Sequence, residues 1–197
     1  MGAAWISIDS LDKAEAAFEE AREIAPDFTV NLYRLAHTYR LQGRNDKAIG
    51  MLKEILEINP DEASAYYDMG MNYQFMRKSH EALEYFAEFK RIVIEEWMEK
   101  WPDAPETYSA LSVVAARLDD VETSNLMLRK TIEIDSTLHD KLAEVYCAQG
   151  KINDALNELE MALQDGYRNL FWLKISPDLQ ILQSEARYRN MIKKYFQ

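Results

Sequence analysis

The sequence predicts an all-α fold, a solenoid of stacked helix pairs. Three observations predict it. Matching residues recur 34 apart, small and large apolar residues alternate within each recurrence, and breakers are scarce, at 6 Gly and 5 Pro in 197 residues. Ala14, Ala48 and Ala82 lie on the ladder, as do Phe18, Leu52 and Phe86. Gly2, Ala36 and Gly70 form another rung, and Trp5, Tyr39 and Tyr73 a further one. A fixed period of this size marks one supersecondary unit stacked on copies of itself. Small residues belong where two helices cross closely, and large ones fill the gap beside them.

Five units are expected, over residues 1–28, 29–62, 63–104, 105–136 and 137–166. The first begins near Gly2 and keeps Trp5, Ala14, Phe18 and Pro26. The second carries Leu32, Leu35, Ala36, Tyr39, Ala48, Leu52 and Pro60. Its internal turn is Gly43-Arg44-Asn45-Asp46, where Gly supplies a left-handed residue after the helix end and Asn45 or Asp46 caps the next helix. The third carries Tyr66, Met69, Gly70, Tyr73, Ala82 and Phe86, with Ser79 as the cap and Ile94 in place of the closing proline.

No breaker then appears before Pro102, so one long helix is expected from His80 to Lys100. Ser124 lies 42 residues after Ala82, an insertion of 8, or about 2.2 helical turns. Trp97 and Trp101 share a face of that helix. They either cover the edge of the fourth unit or protrude as a partner contact, which leaves a homo-oligomer open. The fourth unit carries Tyr108, Leu111, Ser112, Ala115, Ser124 and Leu128. The fifth carries Leu142, Ala143, Tyr146, Ala155, Leu159 and Ala162, with Gly150 in its turn and Asn153 as the cap. Residues 167–197 are apolar without the repeat. They read as a helical capping segment, with short helices around Ser176-Pro177 and from Ser184 to Tyr195, because a solenoid needs its last apolar face covered.

Charge and composition exclude several function classes. The formal net charge is −11, against the clustered cations that nucleic acid or an anionic membrane surface needs. The single cysteine, Cys147, forms no internal disulfide and reads as a packing residue. No apolar run approaches the ~20 residues of a membrane span, and no basic stretch precedes an apolar one at the N-terminus, so a cytoplasmic location is expected. His37, His80 and His139 fall in different units without metal-ligand spacing. There is no phosphate loop and no nucleophile elbow. Carboxylate pairs such as Glu19/Glu23 and Glu84/Glu88 read as solvated faces. Neither catalysis nor a cofactor or metal is expected.

Read as W-x2-L-G-x2-Y, then A-x3-F, then P, the pattern resembles the tetratricopeptide repeat family over residues 1–166. The resemblance implies a right-handed superhelix whose concave surface is lined by the first helix of each unit. Positions one, five and eight after the Trp-like residue point into it. These are Tyr33, His37 and Arg40 in the second unit, and Tyr67, Met71 and Gln74, with Phe75 beside them, in the third. In the fourth they are Ser109, Val113 and Ala116, and in the fifth Asp140, Glu144 and Cys147. The groove is then aromatic and Met-lined at one end and acidic at the other, and either a partner's side chains or those of the chain's own tail or a neighbouring copy fill it.

A non-catalytic scaffold or adaptor is implied, binding a protein or peptide segment with an apolar and a basic end. The alternative is a regulatory module of a longer signalling protein, such as a kinase, cyclase or transcription regulator. The carboxylate clamp of chaperone-binding members is not reproduced: its places hold Tyr33, His37, Asp68, Glu106 and Ala110.

Overall fold

The computed structural model describes residues 11–196, and every regular element among them is helical. Gly2 and Trp5 lie outside the described residues. The fold is the all-α solenoid of helix pairs that the ladder predicts. The chain divides into two compact units that part between Phe89 and Lys90.

The first unit contains α1 (Leu11–Ile24), α2 (Thr29–Leu41), α3 (Asn45–Ile58), α4 (Ala63–Phe75) and most of α5 (Ser79–Ile92). The rungs of the ladder are its core. Ala14, Phe18, Ala48, Leu52, Ala82 and Phe86 are all buried, together with Leu35, Ala36 and Met69. Gly70 sits at the crossing of α4 and α5, where a Cβ would stand 2.6 Å from the Phe86 ring. No side chain fits there, which accounts for the glycine. Ion pairs tie the outer faces together, as where Arg22 on α1 meets Glu54 on α3 at 2.7 Å.

Every internal turn among the described residues uses one backbone device. The N–H of Arg44 donates to the Tyr39 carbonyl at 2.8 Å, and Lys78 to Tyr73, Asp120 to Ala115 and Lys151 to Tyr146 repeat the bond. This six-residue closure requires a left-handed residue just before the donor. Gly43 (φ 73°), Arg77 (59°), Asp119 (58°) and Gly150 (72°) fill that place. Arg77 and Asp119 adopt it against the clash of their own Cβ. The next helix starts at once, so the expected caps are corrected. Asn45, Ser79 and Asn153 fall inside the first turns, and the cap positions Arg44 and Lys151 make no side-chain cap bond. A side-chain cap forms instead at Asp120, which accepts the Thr123 N–H at 3.0 Å.

In the second unit the helical path runs on from Ile92 through a π-helical turn at Val93–Trp97 into α6 (Met98–Lys100). The long helix expected from His80 to Lys100 is present with this one wide turn in it. Two α-helical turns hold about 7.2 residues. The π turn takes up what remains of the eight inserted. The Trp97 and Trp101 rings meet edge to face at 6.4 Å, and Trp101 stays 53% exposed.

Then follow α7 (Pro105–Arg117), α8 (Val121–Ile134), α9 (His139–Ala148) and α10 (Ile152–Gln164). Ser112 and Ser124 meet at the α7–α8 crossing, the Ser112 hydroxyl donating to the Ser124 carbonyl at 2.7 Å. The chain leaves α10 through Gly166 (φ 100°). It forms α11 (Leu170–Ile175), a 3-10 helix (Leu179–Ser184) and α12 (Ala186–Phe196). Leu173, Leu179, Leu182, Tyr188 and Met191 from this tail share one apolar cluster with Ala143, Ala155, Leu159 and Leu163.

Candidate partner-binding surface

In the first unit the face is built on α2 and α4. Successive turns of α2 carry Tyr33, His37 and Arg40, and α4 carries Tyr67, Met71, Gln74 and Phe75. The Tyr33 and His37 rings stack at 6.2 Å. His37 Nε2 lies 3.5 Å from Asp68 Oδ2, which places α2 against α4. The Arg40 guanidinium lies over the Phe75 ring at 5.6 Å. Phe75 is 40% exposed, and Gln74 beside it is exposed as well.

Burial pushes the His37 imidazole down to about 3, and the Arg40 charge adds to the effect. The ring is neutral at physiological pH and works as a stacked, polar core group. Burial also raises the Tyr33 hydroxyl, with Glu62 and Asp68 contributing.

Four expectations are corrected here, since His37 and Arg40, at 7% and 5% exposed, are buried and support the face without being offered to a partner. Met71 is 2% exposed, so it packs in the core and offers no anchor. Tyr67 is half-buried, its ring 5.6 Å from Phe86 and 5.1 Å from Phe89, so it braces the face from behind. Asp68 was absent from the expected site residues. Its signal was its place two residues after the Trp-like Tyr66, on the same face of the helix as the histidine's partner must be.

In the second unit the face on α7 and α9 carries the chain's own tail. The Trp172 indole N–H donates to Glu144 Oε1 at 2.5 Å, and the Ser176 hydroxyl approaches the same oxygen at 3.4 Å. Lys141 Nζ holds the other carboxylate oxygen at 3.1 Å and lies over the Trp172 ring. Arg117, at the end of α7, donates to Asp178 Oδ1 at 2.7 Å. Burial raises the Glu144 carboxyl against the opposing pull of Lys141. Burial, helped by Asp178 and Glu144, pushes the Cys147 thiol up to about 12, so it is no nucleophile at neutral pH.

The free acidic end expected at Asp140 and Glu144 is therefore corrected at Glu144, which the tail and Lys141 already satisfy. Asp140 remains half-buried, 3.8 Å from Lys141. Trp172, Ser176 and Asp178 lie outside the repeat pattern, and no sequence period marks them as partners of a first helix.

Residues 9–69 match one tetratricopeptide repeat model, and residues 63–92 match a second. Residues 9–92 are tetratricopeptide repeats. Solved structures share the fold. A thermophilic tetratricopeptide repeat protein from Thermus thermophilus, TTC0263, is 20% identical with a TM-score of 0.58, the match covering 98% of this chain and 95% of that one. A tetratricopeptide repeat protein from Parabacteroides merdae is 17% identical with a TM-score of 0.52, over 94% and 71%. The Cut9–Hcn1 hetero-tetramer of the APC/C gives 16% and 0.56, over 95% of this chain and 40% of the matched one. No match is found among curated proteins.

As a tetratricopeptide repeat chain this is a protein-interaction scaffold, a fold that is generally non-catalytic. Among the described residues no group of three or more His, Cys, Asp and Glu side chains is placed to hold a metal. No helix among them is long and apolar enough to cross a membrane.

Proposed function

We propose that the chain is an adaptor whose first unit binds a segment of a protein partner on the α2–α4 face. The observation that carries this reading is Phe75, a large aromatic 40% exposed and held in place by the Arg40 guanidinium. An aromatic fixed at a surface offers contact area at little entropic cost, the pattern of an interaction hot spot. The expected ligand anchors an apolar or aromatic side chain against Phe75, with polar contacts at Gln74. The second unit supports the reading by example. Its own first-helix face already takes an indole and a carboxylate from the tail. The basic end expected of the partner is not carried forward, because Glu144 is engaged within the chain.

The test is selection of a displayed random-peptide library on the immobilised full chain, in parallel with Phe75→Ala. Enrichment of aromatic or aliphatic sequences on the wild type, lost by tenfold or more on the variant, is the expected result. Enrichment that is indifferent to Phe75→Ala places the binding surface elsewhere.

A further inference from the structure

Charge is unevenly distributed along the chain. Residues 167–197 hold six cations against Asp178 and Glu185, a net of +4, so residues 1–166 carry −15. Most of the excess is on α12, where Arg187, Arg189, Lys193 and Lys194 are exposed and no acid occurs. The opposite face of α12 is fixed by Tyr188 and Met191 in the core cluster. The basic side is thus held outward at the end of the second unit. Within the chain it is answered chiefly along one edge, where Arg187 meets Glu160 and Asn157 on α10. Arg189 caps the carbonyls of Gln183 and Ser184.

The first described helix has the opposite character. On α1, Asp12, Glu20 and Glu23 are exposed around the small exposed Ala16, with Lys13 the one exposed cation of the helix, and Ile24 at its end is 80% exposed. At 1.5 Å per residue the acidic stripe from Asp12 to Glu23 is about 16 Å long and the basic one from Arg187 to Lys194 about 10 Å, so the basic stripe fits within the acidic one. Exposed apolar residues flank both, Ile24 on one side and Ile181 on the other.

We propose that the basic face of α12 docks on the acidic face of α1 in a second copy of this chain, joining copies head to tail. The charge match selects this occupant. A nucleic acid or an anionic lipid surface extends well past the stripe and meets the acidic remainder of the chain. The chain's overall −11 does not forbid the contact. At 0.1 M salt charges separated by more than about 10 Å are largely screened, so the juxtaposed stripes dominate. A contact between two different surfaces does not close on itself, and it yields open chains of copies unless a rotation closes a ring.

Sedimentation velocity of the full chain over a range of concentrations tests the proposal. The expected result is concentration-dependent growth in mass, weakened at least tenfold between 0.05 and 0.5 M NaCl. Lys193→Glu with Lys194→Glu should abolish it, as should Glu20→Lys with Glu23→Lys. All four positions are exposed, and circular dichroism verifies that the fold is kept. Mixing the two charge-reversed proteins should restore association, because the reversed tail of one then faces the reversed head of the other. A wild type that stays monomeric up to its solubility limit overturns the proposal. Variants that associate as wild type does, or a mixture that fails to associate, overturn it as well.

Discussion

Arg117 and Asp178 stand 61 residues apart in sequence and meet with a guanidinium nitrogen 2.7 Å from a carboxylate oxygen, both side chains largely withdrawn from water. The pair fastens the tail to the end of α7. Removing one partner of a buried pair strands the other charge and costs about 3–5 kcal/mol. Asp178→Ala should therefore lower stability in urea titration by about 3 kcal/mol, this pair being partly reached by solvent. Arg117→Met combined with Asp178→Leu should lose less than the two single changes together. A single variant as stable as wild type would show that the apolar cluster alone holds the tail.

Gly70→Ala places a methyl group 2.6 Å from the Phe86 ring. Alanine is the better helix former by about 1 kcal/mol, so an exposed site would gain from the exchange. Here overpacking wins, at about 1–3 kcal/mol. The melting temperature should fall, and Phe86→Leu in the same chain should recover part of the loss. A rise in melting temperature would show that α4 and α5 can move apart freely.

Arg77 and Asp119 hold the left-handed conformation that Gly43 and Gly150 hold elsewhere. The strain is about 1–2 kcal/mol per residue, and glycine's greater freedom in the unfolded chain returns about 0.5–1 of it. Arg77→Gly and Asp119→Gly should each stabilise the protein by about 0.5–1 kcal/mol. Loss of stability on either change would mean that the side chain makes contacts worth more than its strain.

His37 protonates near 6.5 in the unfolded chain and only near 3 in the folded one, facing Tyr33, Arg40 and Asp68 in its burial. Between those values the unfolded state binds more protons. Stability is complete above pH 6.5 and is lost as the pH falls toward 3. At about 1.4 kcal/mol per pH unit the loss reaches about 3 kcal/mol by pH 4. His37→Gln should flatten the wild-type slope between pH 7 and pH 4 by that amount in denaturant titrations. Parallel slopes would show that the imidazole is reached by solvent.

How much was legible depended on what the period encodes. Ala14, Ala48, Ala82, Phe18, Leu52 and Phe86 face the core at one register, so their recurrence named the helix pairs and their order. Gly43 and Gly150 announced their turns by residue type. The same turns at Arg77 and Asp119 were hidden, because a non-glycine residue carries the conformation and only its spacing betrays it. Register also placed His37, Arg40 and Phe75 on first helices. It could tell which way Met71 and Glu144 point, and not what lies above them. Trp172 and Asp178, which cover the second unit's face, come from a segment with no period at all.

The wide turn at Val93–Trp97 has a bearing on how such chains are recognised. The match to the second repeat model ends at residue 92, one position before it. Past that point the helix still buries Val93, so the architecture does not lapse where the signature does. Sequence period and structural period have come apart, and five residues are enough to separate them. An insertion that would throw a straight α-helix off its seam is absorbed locally, and the following helix pair, α7 and α8, takes up the repeat pattern with a new phase in the numbering. Repeat arrays can therefore lengthen by amounts that are not whole turns, and a count made at fixed spacing will stop short of the last repeat.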